Sequence, residues 1–430
     1  MSRNLAEWLA YQERVNPRSI ELGLDRVNAV WQRMGAAAPA PRVITVAGTN
    51  GKGSTVALLE AMLMAAGLRV GCFTSPHLLS YNERVRIDGI NADDDALTAA
   101  FERIEAARGA DSAVAIPLTY FEFGTLAALD LFARDLLDVA ILEVGLGGRL
   151  DAVNIVDADV AIITTVDLDH MEWLGADRDS IGREKAGIAR AGRPAIVGEA
   201  DPPDGLLDTL AATDAWVERA GIDFWFERAA HGWQWQHRDG EVLHLPDPAL
   251  TAPVQFVNAS AAIAALHTLY ADGSLAIDDF LAAASVGLQT AQVPARLQSL
   301  GGDPVLMVDV GHNPQAARAL AEWLDRRAGG PLHAVYGALA DKDIAGVMAA
   351  LGERVEHWHL AGLDQVTPRG MAAGQLAASL RQTLAGATFD EHTDVAAALS
   401  AARAATPAGG CILAFGSFFV ASAVIAGERD

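Results

Sequence analysis

The sequence predicts an α/β protein, with a large parallel-sheet domain first and a smaller α/β domain after it. Three observations carry this prediction. Short apolar, β-branched runs alternate with segments of helical apolar spacing along most of the chain, as expected of strands buried on both faces beneath helices. Residues 43–47 form the first such run; it breaks into a glycine-punctuated turn and then into helical spacing at Leu59, Met62, Leu63 and Ala66. The alternation pauses at 222–245 and resumes in a shorter series after Pro294.

Taken in order, residues 17–34 have helical apolar spacing from Pro17 through Ile20, Leu24, Val27, Val30, Trp31 and Met34, and Gly35 stops that helix. After the glycine-rich turn and its helix, strand 69–73 runs into Thr74-Ser75-Pro76-His77, and helices follow at 95–108 and 119–134. Strand 138–144 ends on Glu143 and the turn Gly145-Leu146-Gly147-Gly148-Arg149. Strand 160–166 ends at Asp167-Leu168-Asp169-His170, and 193–198 is a further buried strand. Between 222 and 245, Phe224, Phe226, Trp233 and Trp235 alternate around Arg238-Asp239-Gly240, which reads as a structural β-hairpin. The second series has strands at 305–310, 332–336, 355–360 and 411–415, with helices after Pro314 and at 343–351, 370–384 and 394–404. It is Rossmann-like without a Gly-x-Gly-x-x-Gly fingerprint, so a dinucleotide is not its ligand. The expected domains are 1–295 and 296–430.

Composition narrows the function classes. At 430 residues and 51% hydrophobic, the chain supplies two full cores. A formal net charge of −23 argues against nucleic acid and anionic membrane as partners. Cys72 and Cys411 lie far apart in apolar surroundings, which suggests reduced core thiols in the cytoplasm. No apolar run approaches the length of a membrane span, and no oligomerisation signal stands out, so a cytoplasmic monomer is expected.

Chemistry gathers at the strand ends. In Gly48-Thr49-Asn50-Gly51-Lys52-Gly53-Ser54-Thr55 the glycines let backbone N–H groups face an anion, the helix N-terminus adds partial positive charge, and Lys52 adds a full one. A hydroxyl from Ser54 or Thr55 suits a Mg²⁺ bridging phosphates. The segment is therefore read as the phosphate loop of a nucleoside triphosphate site, and the first domain as an ATPase domain. It departs from the strict P-loop pattern, since Val46 replaces a glycine and Gly53 separates lysine from hydroxyl. Glu143, His170 and Ser75 end strands on the same side of a parallel sheet and are placed to share Mg²⁺ with the phosphates. Glu184-Lys185 falls on a helix, where a lysine is ordinarily solvated; Asp309, His312 and Asp341-Lys342-Asp343 end strands of the second domain.

Together with Leu142-Glu143-Val144, Leu150-Asp151-Ala152, Ala186-Gly187-Ile188, Asp309-Val310-Gly311-His312-Asn313-Pro314 and Gly416-Ser417-Phe418, these motifs resemble the folylpolyglutamate synthase and dihydrofolate synthase family, relatives of the Mur ligases. The resemblance runs in order from about residue 20 to residue 420. It implies ATP-driven amide formation: a carboxylate of the pterin substrate is phosphorylated, and L-glutamate attacks the acyl phosphate. ATP is then a co-substrate, with one or two Mg²⁺ ions. The implied metal ligands are Ser75, Glu143 and His170, and Asn258, Arg296, Asp309 and His312 join the loop as ATP contacts. Lys185 matches a position that is carbamylated in the family, which would make it a carboxylate near the second metal. Thr119, Tyr120, Phe121 and Glu122 with Leu150, Asp151 and Ala152 resemble the segments that hold dihydropteroate, with Phe121 stacking on the flat ring. The implied substrates are dihydropteroate, tetrahydrofolate or folylpolyglutamate, L-glutamate and ATP. Val153, Ala295 and Gly311 stand where the family usually has Thr, Gly and Ala.

Three other readings are weaker. Polyglutamylation alone would leave Phe121 and Asp151 without a pterin role. A Mur-type ligase of UDP-sugar peptides would need an N-terminal domain that the roughly forty residues before the first strand do not hold. A P-loop switch would need neither the second domain nor Asp309 and His312.

Overall fold

The computed structural model describes the chain apart from residues 1, 2, 17, 19, 111–114, 328 and 430. It divides into two compact units, one of residues Met1–Ala249 and Phe256–Gln292, the other of Leu250–Gln255 and Val293–Asp430.

In the first unit the elements run α1 (Leu5–Val15), α2 (Asp25–Arg33), β1 (Arg42–Ala47), α3 (Lys52–Ala65), β2 (Val70–Phe73), β3 (Val85–Ile87), β4 (Ile90–Asn91), α4 (Asp94–Gly109) and α5 (Tyr120–Arg134). There follow β5 (Val139–Glu143), β6 (Val160–Ile163), α6 (Met171–Leu174), α7 (Arg178–Ala186), β7 (Pro194–Val197), α8 (Asp204–Ala212) and β8 (Trp216–Arg219). Then come β9 (Phe224–Arg228), β10 (Trp233–His237), β11 (Val242–Leu245), α9 (Val254–Ala271), whose first residues belong to the other unit, and α10 (Phe280–Thr290).

Eight strands form one sheet in the order β4-β3-β2-β5-β1-β6-β7-β8. From β2 to β8 neighbours are parallel, and β3 and β4 add an antiparallel edge. The central strands are buried along their length because helices cover both faces, which is why they read as unbroken apolar runs. Both thiols are buried, Cys72 within β2 and Cys411 in the second unit.

Two expectations are corrected here. The helix expected over 17–34 is only α2: Pro17 lies outside the described residues, and Gly23, at φ 145°, interrupts helical geometry before Leu24. Ahead of it stands α1, which the apolar pattern did not mark. Its signal is local: Asn4 and Glu7 form a capping box, each side chain accepting from the other's backbone N–H at 2.9–3.0 Å. The expected hairpin is a three-stranded antiparallel sheet, β11-β10-β9. Trp233 and Trp235 lie on its buried face against α9, where Trp235 Nε1 donates to the Ser260 carbonyl at 3.2 Å.

The second unit continues with β12 (Gln298–Gly301), β13 (Val305–Val308), α11 (Pro314–Arg326), β14 (Leu332–Tyr336), α12 (Ile344–Leu351), β15 (His357–Ala361), α13 (Ala373–Thr383), β16 (Phe389–His392), α14 (Val395–Ala405), β17 (Cys411–Phe415) and α15 (Phe418–Gly427). Its sheet has the order β12-β13-β17-β14-β15-β16, all parallel except β12. Leu332, Ala334, Tyr336, Trp358 and Leu360 pack with Leu320, Val347, Met348 and Leu376 as one core. Pro314 opens α11 with Asn313 as its N-cap, as the sequence indicated. Among the described residues, no helix is long and apolar enough to cross a membrane.

Candidate active site

At the end of β1 the chain turns sharply, and two glycines are needed there. A Cβ on Gly48 would overlap Thr164 Oγ1, and one on Gly51 would sit 2.5 Å from Asn258 Oδ1. Gly51 is also the left-handed N-cap of α3, at φ 87°. The loop is sutured to the segment after β6. Thr49 N–H donates to the Thr165 carbonyl at 2.8 Å, Asn50 N–H to Thr165 Oγ1 at 3.0 Å, and Thr164 Oγ1 to the Asn50 carbonyl at 2.6 Å. Lys52 Nζ donates back to the carbonyls of Gly48 and Thr49 at 3.0 and 3.3 Å, so its charge is held over the loop. Ser54 and Thr55 are buried in the first turn of α3. Replacing Gly48 with Ala pushes Thr164 off its Asn50 bond; nucleotide affinity is expected to fall by about tenfold or more, measured by calorimetric titration of ADP.

Glu143 closes β5, beside β1 and in register with Val46. Only 5% exposed, it accepts the Ser75 N–H at 3.2 Å, so the structure brings these two residues together. A buried carboxylate on the strand beside the glycine turn, bonded to the backbone of a serine, is hard-oxygen chemistry of the kind that suits Mg²⁺. His170 lies beyond β1, on the loop after β6, in left-handed backbone conformation at φ 51°. Its backbone N–H donates to Asp169 Oδ1 at 2.9 Å, and its ring lies 4.0 Å from the same oxygen.

The expectation of a solvated Lys185 fails. It is 3% exposed, on α7. Burial, reinforced by the charge of Lys52 and opposed by Asp169, pulls its ammonium down to about 7. Two lysines thus share a neighbourhood with each other and with an aspartate, an arrangement that favours an anion there.

Asp151 shapes the glycine turn. Its carboxylate accepts from Leu146 N–H at 2.8 Å and Val153 N–H at 3.1 Å, and burial pushes it up to about 6 against the pull of those amides and Lys52. Gly145 lies against Phe121, where a Cβ would be 2.7 Å from the ring, so the segments around Phe121 and Asp151 meet. Thr119 and Glu122 form the capping box of α5, at 2.7 and 3.2 Å, and Glu122 pairs with Arg26. Tyr120 stands edge-on to Tyr81 with ring centroids 5.6 Å apart. The Leu150 carbonyl accepts from Gly23 N–H, and Ala152 is buried. Arg149 is ion-paired with Glu184 at 2.8 Å.

Within the second unit, Asp309 is buried and each of its oxygens accepts a backbone amide, Leu297 N–H at 2.8 Å and Gly311 N–H at 2.6 Å. Burial pushes its carboxyl above the ordinary range, and the Arg296 charge pulls against that. This bracing fixes Arg296 between two left-handed residues, Ala295 at φ 55° and Leu297 at φ 44°. The His312 ring nitrogen Nδ1 lies 3.0 Å from the Val310 carbonyl. Ala295 holds a left-handed conformation, which costs an alanine about 1 kcal/mol. Ala295→Gly is therefore expected to leave urea stability unchanged or raise it by up to about 1 kcal/mol, the gain being offset by glycine's greater freedom in the unfolded chain. Asp343 caps α12 and Asp341 pairs with Arg369, so these two act structurally.

Thr164 and Thr165 were not singled out in the sequence, and Asp169 only as the neighbour of His170. Their partners stand more than a hundred residues away or on another helix, and no local pattern distinguishes a threonine pair at a strand end.

Comparison with known proteins bears on the fold and the family. Residues 46–203 match the Mur ligase middle domain, and residues 295–418 match the Mur ligase glutamate ligase domain. The dihydrofolate synthase/folylpolyglutamate synthase of Escherichia coli K12 is 46% identical over 423 residues, covering 98% of this chain and 94% of that one. A solved structure of Escherichia coli FolC in complex with DHPP and ADP superposes with a TM-score of 0.91 at 44% identity, covering 100% and 99% of the two chains. A bifunctional folylpolyglutamate synthase/dihydrofolate synthase solved with Mn, AMPPNP and L-glutamate gives 0.89 at 46%, with the same coverage. Near-complete coverage at this identity, on the same two-unit α/β architecture, makes the chain a member of the dihydrofolate synthase/folylpolyglutamate synthase family.

Proposed function

We propose that this chain is an ATP-dependent ligase that joins L-glutamate to dihydropteroate, forming dihydrofolate, and to reduced folates, forming folylpolyglutamates. The observation that carries the chemistry is the phosphate loop: Lys52 is folded over it, and a buried Glu143 holding Ser75 closes the strand beside it. Relatives solved with ADP, with AMPPNP and with L-glutamate support the choice of co-substrates.

The substrate carboxylate oxygen attacks the γ-phosphorus and ADP leaves; the glutamate amine then attacks the acyl carbon, phosphate leaves and the amine loses a proton. Loop amides at residues 48–53 and the Lys52 ammonium hold the phosphates and stabilise the charge spread over the transferring group. Ser75, Glu143 and His170 are the proposed ligands of Mg²⁺, which when bound neutralises phosphate charge. Asn258, Arg296, Asp309 and His312 are proposed nucleotide contacts. Of these, Asn258 is supported by its approach to Gly51. The pterin is assigned to the Phe121 ring and the turn braced by Asp151, with Thr119, Tyr120, Glu122, Leu150 and Ala152 as the surrounding frame.

Lys185 is assigned a carbamate. A neutral amine attacks CO₂, forming an N–C bond and releasing a proton, and an ammonium near 7 leaves a substantial neutral fraction at physiological pH. The carbamate reverses the sign of the charge facing Lys52, turning repulsion into attraction.

The reading also makes the chain a cytoplasmic monomer, with residues 1–295 and 296–430 as its domains. The deciding experiment measures ADP release with MgATP and L-glutamate, with dihydropteroate and separately with tetrahydrofolate. Turnover on both is expected. Tetrahydrofolate alone would remove the pterin assignment of Phe121 and Asp151, and turnover on neither would overturn the substrate class.

A further inference from the structure

On the sheet of the second unit, five titratable side chains from three neighbouring strands share one face. The parallel register pairs His333 with His357, His359 with Asp390 and Ala361 with His392. Alternation then turns His333, His357, His359, Asp390 and His392 to the same side, opposite the core residues Leu332, Ala334, Trp358 and Leu360. His359 is 1% exposed and has an imidazole on each ring nitrogen: Nε2 lies 3.2 Å from His333 Nδ1, and Nδ1 lies 3.3 Å from His392 Nε2. His357 Nε2 is 3.0 Å from Asp390 Oδ2. One donor atom each from His357, His359 and Asp390 lies within 4.8 Å of the other two. About 13 Å of strand separates His357 from the carboxyl end of β15, and none of the five belongs to the residues assigned to ligation.

Two imidazoles and a carboxylate are the donor chemistry of zinc and its neighbours, whereas Mg²⁺ selects oxygen. Donors on a tetrahedral ion at about 2.1 Å stand roughly 3.4 Å apart, so side-chain rotation brings this trio to ligating distance without moving the strands. His333 or His392 occupies the other ring nitrogen of His359, as an orienting partner does in metal sites. The three donors grade from buried His359 through partly exposed His357 to exposed Asp390, which provides an entry path.

We propose that His357, His359 and Asp390 form a binding site for a divalent transition-metal ion of the zinc class, oriented by His333 and His392 and separate from the Mg²⁺ of ligation.

A second group, His237, Asp239 and His267, also has metal-ligand spacing, so total zinc uptake does not discriminate. The test compares untagged, chelator-stripped full-length chain with the His357→Ala, Asp390→Asn and double variants, titrated with Zn²⁺ in excess Mg²⁺. Co²⁺ absorption serves as a second readout of the ligand set. His359 is left intact because its burial makes a variant there liable to misfold. Expected are one ion fewer per chain in the double variant, at least about tenfold weaker affinity at this site in each single variant, and an unchanged ligation rate with Mg²⁺. Zn²⁺ stoichiometry and affinity equal in wild type and double variant would overturn the proposal, as would wild type that binds no Zn²⁺.

Discussion

Lys52→Ala is expected to lower ligation by about three orders of magnitude while the protein remains folded, measured as ADP release beside a thermal melt. In the proposed mechanism the lysine contributes a full charge to the transferring phosphoryl group, in a loop whose other donors are neutral amides. Among its bonds in the structure are those to the carbonyls of Gly48 and Thr49, both of which are part of the same turn. Losing them relaxes the loop but leaves the β1–β5 and β1–β6 pairings that carry the sheet. An activity loss below about tenfold would remove Lys52 from the chemistry.

Lys185→Met is expected to abolish ligation and, in the same molecule, to stabilise the fold. A buried ammonium beside another lysine is held at about 7, against an ordinary 10.5. Between those two values the unfolded chain binds a proton that the folded chain does not, so wild-type stability rises with pH across this window. Below about pH 7 the full penalty is present, and methionine, which carries no charge, removes it. The expected gain is about 4 kcal/mol at pH 7 in CO₂-free buffer, shrinking toward zero as the pH approaches 10.5. Urea unfolding of both proteins at pH 7 and pH 10 checks it. A methionine variant that is less stable at pH 7 would show that Lys185 is compensated by its surroundings. Restoring bicarbonate labelled with ¹³C adds an independent signal, since a carbamate resonance should appear in wild type and not in the variant.

The two cases mark where sequence reading is strong. The turn that carries Lys52 was legible because its strand, its glycines and the helix after it lie within a dozen or so residues of one another. Lys185 was not legible from its own helix. Residues 178–186 carry Arg178, Asp179, Arg183 and Glu184, and that polarity reads as a solvated face. Its burial is tertiary: α7 packs so closely on α8 that a Cβ on Gly182 would lie 3.0–3.1 Å from Pro203 and Leu206, and the charges that act on the Lys185 side chain are those of Lys52 and Asp169, distant in sequence. Helix boundaries show the same division. The capping box at Thr119 and Glu122 is written in a four-residue pattern, while the shortening of the helix over 17–34 to α2 depends on Gly23 bonding to Leu150.

By itself, then, the sequence determined the two α/β series, the glycine turn between β1 and α3, and the placing of Glu143 at a strand end with Ser75 and His170 on the loops that follow strands, because these follow from short-range periodicity and local turn chemistry. Only the tertiary structure decided that Thr164 and Thr165 hold the loop, that Asp309 braces Arg296 through two backbone amides, and that five histidine and aspartate side chains converge on one sheet face. The physical reason is the same in each instance. Hydrogen-bond partners and dielectric surroundings are set by strand order and register, and these place next to one another residues that the chain keeps far apart.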